Sequence, residues 1–593
     1  VNPHAEYTTR LEQRREAASR LRQSHRRTGN LRLLTALAAV AVGWFAFGQL
    51  TISPAWIIVP AGLFAGLVVF HARILREYDL ASRAAGYYEH GLARLEDRWS
   101  GMGESGERFC DPHHVYSDDL DLFGKGSLFQ LLSTARTRAG EDTLAGWLLE
   151  HPDAGEVRAR QQGVAELRPS LDLRERLAVH GETVRSGIHP AAVTAWGEQP
   201  EVRFPPGSRI FAPLVAASAL ITFCLYMAGV TNRTPFLIAL AVVFAVWFVL
   251  RAPTVQVMNA VEAPARDLAL LAELLRILED QRFEAPLLAD LHGRLSASGL
   301  VASKRIARLR RLVSLLDWQR HMVFAPVAIV LLWGPQLALA IESWRRHAGK
   351  AIGTWIATVG EFEALLALAG YAFEHPRDPF PEFTDAPASF EADGLGHPLM
   401  PEAKSIRNSL RIGGELRLLV VSGSNMSGKS TLLRSIGLNS VLAWAGAPVR
   451  ARKLALSKVR IGASIRIVDS LQEGKSRFYA EITRLRQILD LTAGTAPVLF
   501  LIDEMLSGTN SHDRRIGAEA IVRGLLDRGA FGLITTHDLA LADIPGKLAH
   551  PAVNVHFEDS IADGSIHFDY LLRPGVVEHS NALELMRSVG LEV

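Results

Sequence analysis

The sequence predicts an α/β domain over its C-terminal third and, ahead of it, an α-helical part into which two membrane-spanning hairpins are set. Three observations predict this. A strand-like run, L-R-L-L-V-V-S from Leu416, enters the glycine-rich octet G-S-N-M-S-G-K-S at Gly423–Ser430, and a helical pattern follows to Ala445. Two further apolar runs, Pro497 to Ile502 and Phe531 to Thr536, end on Asp503-Glu504 and on His537. Upstream, uncharged stretches come in pairs, Leu33–Leu50 with Ala55–Phe70 and Ile210–Val230 with Pro235–Leu250.

The octet matches G-x-x-x-x-G-K-[ST] between a strand and a helix, the context in which that pattern marks a phosphate site. Glycines let the backbone wrap an anion without Cβ clashes, and free N–H groups at the helix start point at it. Gly423, Ser424, Asn425, Met426, Ser427, Gly428, Lys429, Ser430 and Thr431 are therefore the expected nucleotide-binding residues. Lys429 is expected at the β- and γ-phosphates and Ser430 on Mg²⁺. Asp503 and Glu504, closing a buried strand, fit the acid pair that orders the magnesium shell and positions the attacking water. His537, at the tip of a third strand, is placed to sense a γ-phosphate. The expected catalytic residues are Glu504 and His537, the metal ligands Ser430 and Asp503, and the cofactors ATP and Mg²⁺.

These residues resemble the MutS mismatch-repair ATPase, a fold of the ABC superfamily. G-S-N-M-S-G-K-S-T, D-E followed by G-T-N-S-H-D, and T-T-H are similar to the family's G-P-N-M-G-G-K-S-T, D-E-x-x-x-G-T-x-x-x-D and A-T-H. Asp469 to Glu481 (D-S-L-Q-E-G-K-S-R-F-Y-A-E) resembles the family's signature region, with Arg477 in place of the usual Thr. The resemblance implies that Ser476 acts catalytically on the γ-phosphate of a neighbouring subunit's nucleotide, that Asp513 is the D-loop acid, and that the chain works as a homodimer through its ATPase domains. His397-Pro398 and Asn408 match the run before the family's P-loop. The resemblance spans Gly394 to Leu591. A second stretch, D-D-L-D-L-F-G-K-G-S-L-F-Q-L-L-S-T-A-R-T-R-A-G from Asp118, resembles the start of the family's helical core; Arg136, Arg138 and Trp147 there read as packing and helix-surface groups.

A chain of 593 residues is too long for one domain. Its net charge of +2 excludes a strongly basic nucleic-acid binder, although local patches remain open. Two cysteines, Cys110 and Cys224, stand far apart, which excludes a disulfide framework and a cysteine metal site.

Residues 1–32 carry eight arginines against Glu6, Glu12 and Glu16 and read as a basic cytoplasmic helix leading into the first hairpin, 33–70. Each uncharged run is near the lower limit for crossing a bilayer. Arg73 and Arg76 follow the first hairpin, Arg203 and Arg209 precede the second, and Arg251 follows it, so the positive-inside rule puts every outer flank in the cytoplasm. The helical core is expected at 71–209 and 251–375, interrupted by the second hairpin, 210–250, with the ATPase domain at 376–593. Met322 to Ile341 is also uncharged, but an odd number of spans would put the ATPase outside. It reads as a buried or membrane-surface core helix. Lys304, Arg305, Arg308, Arg310 and Arg311 cluster on one helix, either a solvated face or a DNA contact.

The expectation is a multi-pass protein of a bacterial inner membrane, its ATPase domain cytoplasmic, hydrolysing ATP in a composite dimer site to drive conformational change. The bilayer is its expected partner, and no small-molecule substrate besides ATP is implied. DNA binding and mismatch repair follow from the family only, since no F-x-E mismatch wedge stands in the N-terminal region. Two other classes stay open: an ABC-type transport-related ATPase, and an ATP-switched membrane scaffold for DNA. Against the first, the signature is not L-S-G-G-Q.

Overall fold

A computed structural model describes residues 2–49, 52–185, 189–296, 301–320, 324–384, 387–466, 477–506, 508–538, 541–562 and 565–577. The chain forms two compact units, one of residues 1–134, 144–171 and 365–593, the other of 135–143 and 172–364.

The first unit opens on a helix, Pro3–Gly43, started by the Asn2 side chain accepting from the His4 N–H at 3.1 Å, with Pro at the first turn where no donor is needed. It runs without a break from the arginine-rich stretch into the first apolar run. A second helix, Ile58–Leu95, returns antiparallel beside it. The two are joined by the Tyr7 ring tilted against Tyr88 (5.6 Å between centroids), by His25 and His71 (2.8 Å between ring nitrogens) and by Arg15 on Glu89 at 2.7 Å. Gly91 allows the close approach: a Cβ there would stand 2.6 Å from the Tyr7 ring. At the foot of the pair, Tyr7 and Arg94 both bond Glu374, the arginine through two nitrogens.

The rest of this unit holds two sheets. Strands β1 (Glu382–Phe383), β2 (Ser389–Leu395), β3 (Asn408–Gly413) and β5 (Lys453–Leu456) make a small sheet in the order β1-β5-β2-β3. Strands β4 (Leu418–Ser422), β6 (Arg460–Ser464), β7 (Val498–Ile502), β8 (Phe531–Thr536), β9 (Ala552–Ala562) and β10 (Ser565–Pro574) make the main sheet, ordered β10-β9-β4-β8-β7-β6. Every residue of β4, β7 and β8 is buried, as parallel strands covered on both faces require. Helices Lys429–Ala445, Arg477–Leu491 and Ser511–Asp527 pack on this sheet. Ile488, Phe500, Ile502, Val522, Leu525 and Ile534 fill one core, each fully buried side chain stabilising by about 1.5–3 kcal/mol. This packing fixes the carboxyl ends of β4, β7 and β8 side by side.

The second unit is helical. Ser208–Met227 pairs with a helix of 47 residues, Arg233–Glu279, started by the Asn232 side chain. Small residues Ala212 and Ala219 face Val243 and Leu250 in the seam. The long helix passes through Pro253 and Pro264, so the expected boundary at residue 250 falls inside one continuous element. Met322 to Ile341 is not one helix: residues 321–323 lie outside the description, and beyond them Ala325–Val330 and Trp333–Ala348 are separated by Leu332 in a left-handed conformation.

Among the described residues five helices are long and apolar enough to cross a membrane. Four carry the paired runs read from the sequence, and their apolar windows are only 6–17% buried within the protein. The fifth, Ala351–Glu374, has an apolar window that is 89% buried and is a core helix.

Candidate active site

The site is built where β4, β7 and β8 end. After Ser422 the chain turns through Gly423–Gly428 and enters the helix at Lys429. Gly428 has φ +102°, and a Cβ there would press on the Tyr570 ring at 3.1 Å; Gly423 meets Ser427 Oγ at 2.8 Å in the same way. Met426 also has positive φ (+69°) and is 85% exposed at the loop's tip. Lys429 Nζ is buried beneath the loop and donates to the Gly423 and Ser424 carbonyls at 2.9 and 2.8 Å. Burial lowers the Lys429 ammonium's pKa from its ordinary value, opposed by the Glu504 and Asp503 carboxylates.

Asp503, at the end of β7, faces the start of this helix. Its Oδ2 accepts from the Ser430 hydroxyl at 2.5 Å and its Oδ1 from the Thr535 hydroxyl on β8. Glu504 follows with φ +47°, a costly conformation for a non-glycine residue that tight surroundings must hold. Its N–H donates to Thr535 Oγ1 at 3.1 Å, and its Oε1 lies 3.2 Å from His537 Nδ1 and 4.0 Å from Lys429 Nζ. Five of the expected residues, Lys429, Ser430, Asp503, Glu504 and His537, therefore converge from three separate strands' ends.

The arrangement fits a magnesium nucleotide. Ser430 and Asp503 offer hard oxygen donors in direct contact, the type that suits Mg²⁺. Among the described residues the buried hydroxyls of Ser424 and Ser427 have no hydrogen-bond partner, and both belong to the glycine-rich loop. Among the described residues no three His, Cys, Asp or Glu side chains gather to hold a metal by themselves. A cation here would share its shell with phosphate oxygens.

Sequence reasoning names no contacts for a nucleotide base, and the cleft beside the loop shows which side chains stand there. A cleft of about 610 Å³ runs from Lys429 and Glu504 past His397, Ile406, Asn408 and Tyr570. Asn408 Nδ2 donates to the Tyr570 carbonyl at 3.0 Å and its Oδ1 accepts from Leu572 N–H at 2.8 Å. That pair fixes Tyr570 (φ +55°) in a strand irregularity between Phe568 and Leu572. Burial, reinforced by Arg434, pushes His397 down to about 4, so it stays neutral, with Nδ1 accepting from Leu399 N–H. The matching of His397 and Asn408 to the run before the P-loop was the one available signal; Tyr570 carries none.

Ser476 lies outside the described residues, as does most of the signature-like segment; Arg477 is the first residue of the helix that follows. Asp513 sits in the first turn of Ser511–Asp527, its N–H on the Asn510 cap at 2.8 Å.

The family model that matches this region is MutS domain V, over residues 419–592. Over these residues the chain is similar to the MutS family. The DNA mismatch repair protein MutS of Natronomonas pharaonis is 34% identical over 241 residues, covering 39% of this chain and 27% of that protein. Endonuclease MutS2 of Thermus thermophilus is 36% identical over 203 residues, 33% of this chain and 25% of its own length. DNA mismatch repair protein MutS 2 of Haloarcula marismortui is 39% identical over 180 residues, 29% of this chain and 18% of its own. The matched part of the chain spans about a quarter or less of the length of each of these three relatives.

Proposed function

We propose that this chain is a membrane-anchored MutS-family ATPase that turns over ATP in a site completed by a second copy. The observation that carries the ATPase reading is the convergence of Lys429, Ser430, Asp503, Glu504 and His537 on one cleft. Lys429 and the loop N–H groups would hold the phosphates, and Ser430 with Asp503 would hold Mg²⁺, which supplies charge neutralisation at the transferred phosphoryl group. Glu504 is placed to orient and deprotonate water, and His537, bonded to it, holds that carboxylate in place. The base would lie along His397, Ile406 and Tyr570.

Anchoring is supported by four apolar helices whose windows are almost unburied within the protein, each pair flanked by arginine. Dimer formation through nucleotide is supported by the signature-like sequence around Ser476 and by the exposed apolar side chains of Tyr479 and Ile516 on the helices Arg477–Leu491 and Ser511–Asp527. Two of the three relatives are named for DNA mismatch repair, which supports DNA as the partner of the cycle.

The test is steady-state ATP hydrolysis by the detergent-solubilised chain beside its Glu504→Gln form. Mg²⁺-dependent turnover in the first and nucleotide binding without turnover in the second are expected; no turnover in either refutes the reading. Release of the chain from membranes by alkaline carbonate would refute the anchoring.

A further inference from the structure

The segment Asp111–Leu122, whose last residues from Asp118 open the core-like stretch of the sequence, docks on three elements around the nucleotide site. Val115 O accepts from Ala463 N–H at 2.9 Å and covers the free edge of β6. Arg484, on the helix Arg477–Leu491, donates to the His114 and Pro112 carbonyls at 2.6 and 3.0 Å. Leu120 is fully buried against the P-loop helix; a Cβ on Gly437 of that helix would stand 2.4 Å from Leu120 Cδ2.

At the centre is Asp119, whose side chain is 2% exposed. Its Oδ1 accepts from the N–H groups of Ile465 and Arg466 at 2.6 and 2.8 Å, immediately past the end of β6. Ser464, the last residue of β6, accepts from Asp503 N–H at 2.8 Å. Asp503 in turn holds Ser430 at 2.5 Å. One turn along the same helix, Arg434 Nε donates back to Asp119 O at 3.1 Å, while its NH1 meets Asp121 Oδ2 at 3.1 Å. The contacts close a ring: Asp119, the β6 end, Asp503, Ser430, Arg434 and Asp119 again. A buried carboxylate is costly to desolvate unless its partners are fixed, and here both N–H donors are backbone groups of the strand end.

We propose that Asp119 is a positioning residue of the nucleotide site, locking the β6 end, and through it Asp503, against the helix that carries Ser430. The inference rests on the ATPase reading above. It touches neither nucleotide nor metal, and acts through the spacing of the two side chains that would hold Mg²⁺. It also makes a segment that the sequence assigns to the helical core part of the ATPase machinery.

The test compares Asp119→Ala, Asp119→Asn and Arg434→Ala with the parental full chain in detergent. Readouts are turnover against ATP concentration and the Mg²⁺ dependence of fluorescent-ATP binding. Asp119→Ala and Arg434→Ala should lower kcat about 10- to 100-fold, the range for groups that orient metal ligands, with KM for ATP little changed. Both should need more Mg²⁺ for half-maximal nucleotide binding. Asp119→Asn keeps the Oδ1 acceptor and should restore most of both. Asp119→Ala and Asp119→Asn giving the same kcat and Mg²⁺ requirement, at either level, would overturn the proposal. If Asp119→Ala does not fold, Arg434→Ala carries the test, and parental Mg²⁺ dependence in that variant overturns it. A parental chain that binds nucleotide without turnover refutes the ATPase reading alone, and the Mg²⁺ comparison still decides the role of Asp119. A parental chain that binds no nucleotide refutes both.

Discussion

His537 Nδ1 lies 3.2 Å from Glu504 Oε1, and that same oxygen lies 4.0 Å from Lys429 Nζ. The carboxylate is thus held between a strand-tip imidazole and the buried P-loop ammonium, on a backbone with positive φ. Replacing Glu504 by Gln keeps its shape and removes the base. Turnover should fall about 100-fold or more, within the range for general-base catalysis, while nucleotide affinity stays near the parental value. His537→Ala should lower turnover less, because Glu504 itself remains. Single-turnover hydrolysis with matched binding curves reads both.

Lys429→Ala acts on a different quantity. The ammonium sits under the loop, and its two donor bonds to Gly423 and Ser424 are ones a phosphate oxygen can replace. Loss of a charge-assisted contact costs about 1.5–3 kcal/mol, or roughly 10- to 150-fold in nucleotide affinity. Equilibrium binding of a fluorescent ATP analogue checks it; unchanged affinity would place the phosphates elsewhere.

These two predictions use residues that were readable from the sequence because their chemistry is local. A P-loop is one turn between one strand and one helix, so Gly423 to Ser430 announces itself in eight letters. Asp503, Glu504 and His537 follow the same logic, each within two residues of the end of a buried strand. The fold's long-range choices were not readable. Asp119 looks like one acid in an acidic loop, and only its partners at Ile465, Arg466 and Arg434, over three hundred residues away, give it meaning. Tyr570 is an aromatic in an ordinary strand until the irregularity and Asn408 aim it at the cleft. The run 322–341 keeps its apolar composition, yet Leu332 breaks it, while Ala351–Glu374, composed like a span, is buried as a core helix. Composition reports that a segment avoids water, not whether protein or lipid covers it.

A shared site makes a mixing prediction. Ser476 would serve the partner's nucleotide, so Ser476→Ala should lower turnover while leaving nucleotide binding near the parental level. Mixing Ser476→Ala with Lys429→Ala subunits should regain part of the activity, because the mixed dimer pairs the intact loop of one subunit with the intact serine of the other, and only its second site lacks both. No gain on mixing, or turnover per subunit that is independent of protein concentration, would refute the shared site.

In the helical unit, Arg345 and Glu342 form a buried pair at 2.7 Å. Arg345 also donates to the carbonyls of Trp196, Gln199 and Pro200, and Glu342 accepts from Val202 N–H. Arg345→Met strands a buried carboxylate and three carbonyls together. It should destabilise this unit by about 3–5 kcal/mol, the usual result of breaking one side of a buried pair. Adding Glu342→Leu should recover part of the loss, since the remaining charge is then gone. Arg345→Lys should fall between, keeping the charge without the planar fork. Chemical denaturation of the detergent-solubilised variants orders the three, and a parental midpoint for Arg345→Met would sink the assignment.

Glu363 supplies the pH dependence. It is buried in Ala351–Glu374 and accepts from the N–H groups of Arg136 and Thr137 at 3.0 and 3.2 Å and from the Thr137 hydroxyl. Burial raises its pKa from 4.5 to about 7, against those hydrogen bonds, with nearby Glu141 adding to the rise. A carboxyl raised in the folded state binds its proton more tightly folded than unfolded. Its contribution to stability is therefore complete below about pH 4.5 and is lost as pH rises through about 7. At about 1.4 kcal/mol per pKa unit the full swing is up to about 3 kcal/mol. Between pH 5.5 and 8 the amides at the start of the helix Arg138–Leu149 should lose hydrogen-exchange protection, after correction for the intrinsic rate. Glu363→Gln stays neutral throughout and should flatten that dependence. Protection that rises with pH in the parental chain, or the same slope in Glu363→Gln, would show that another group controls it.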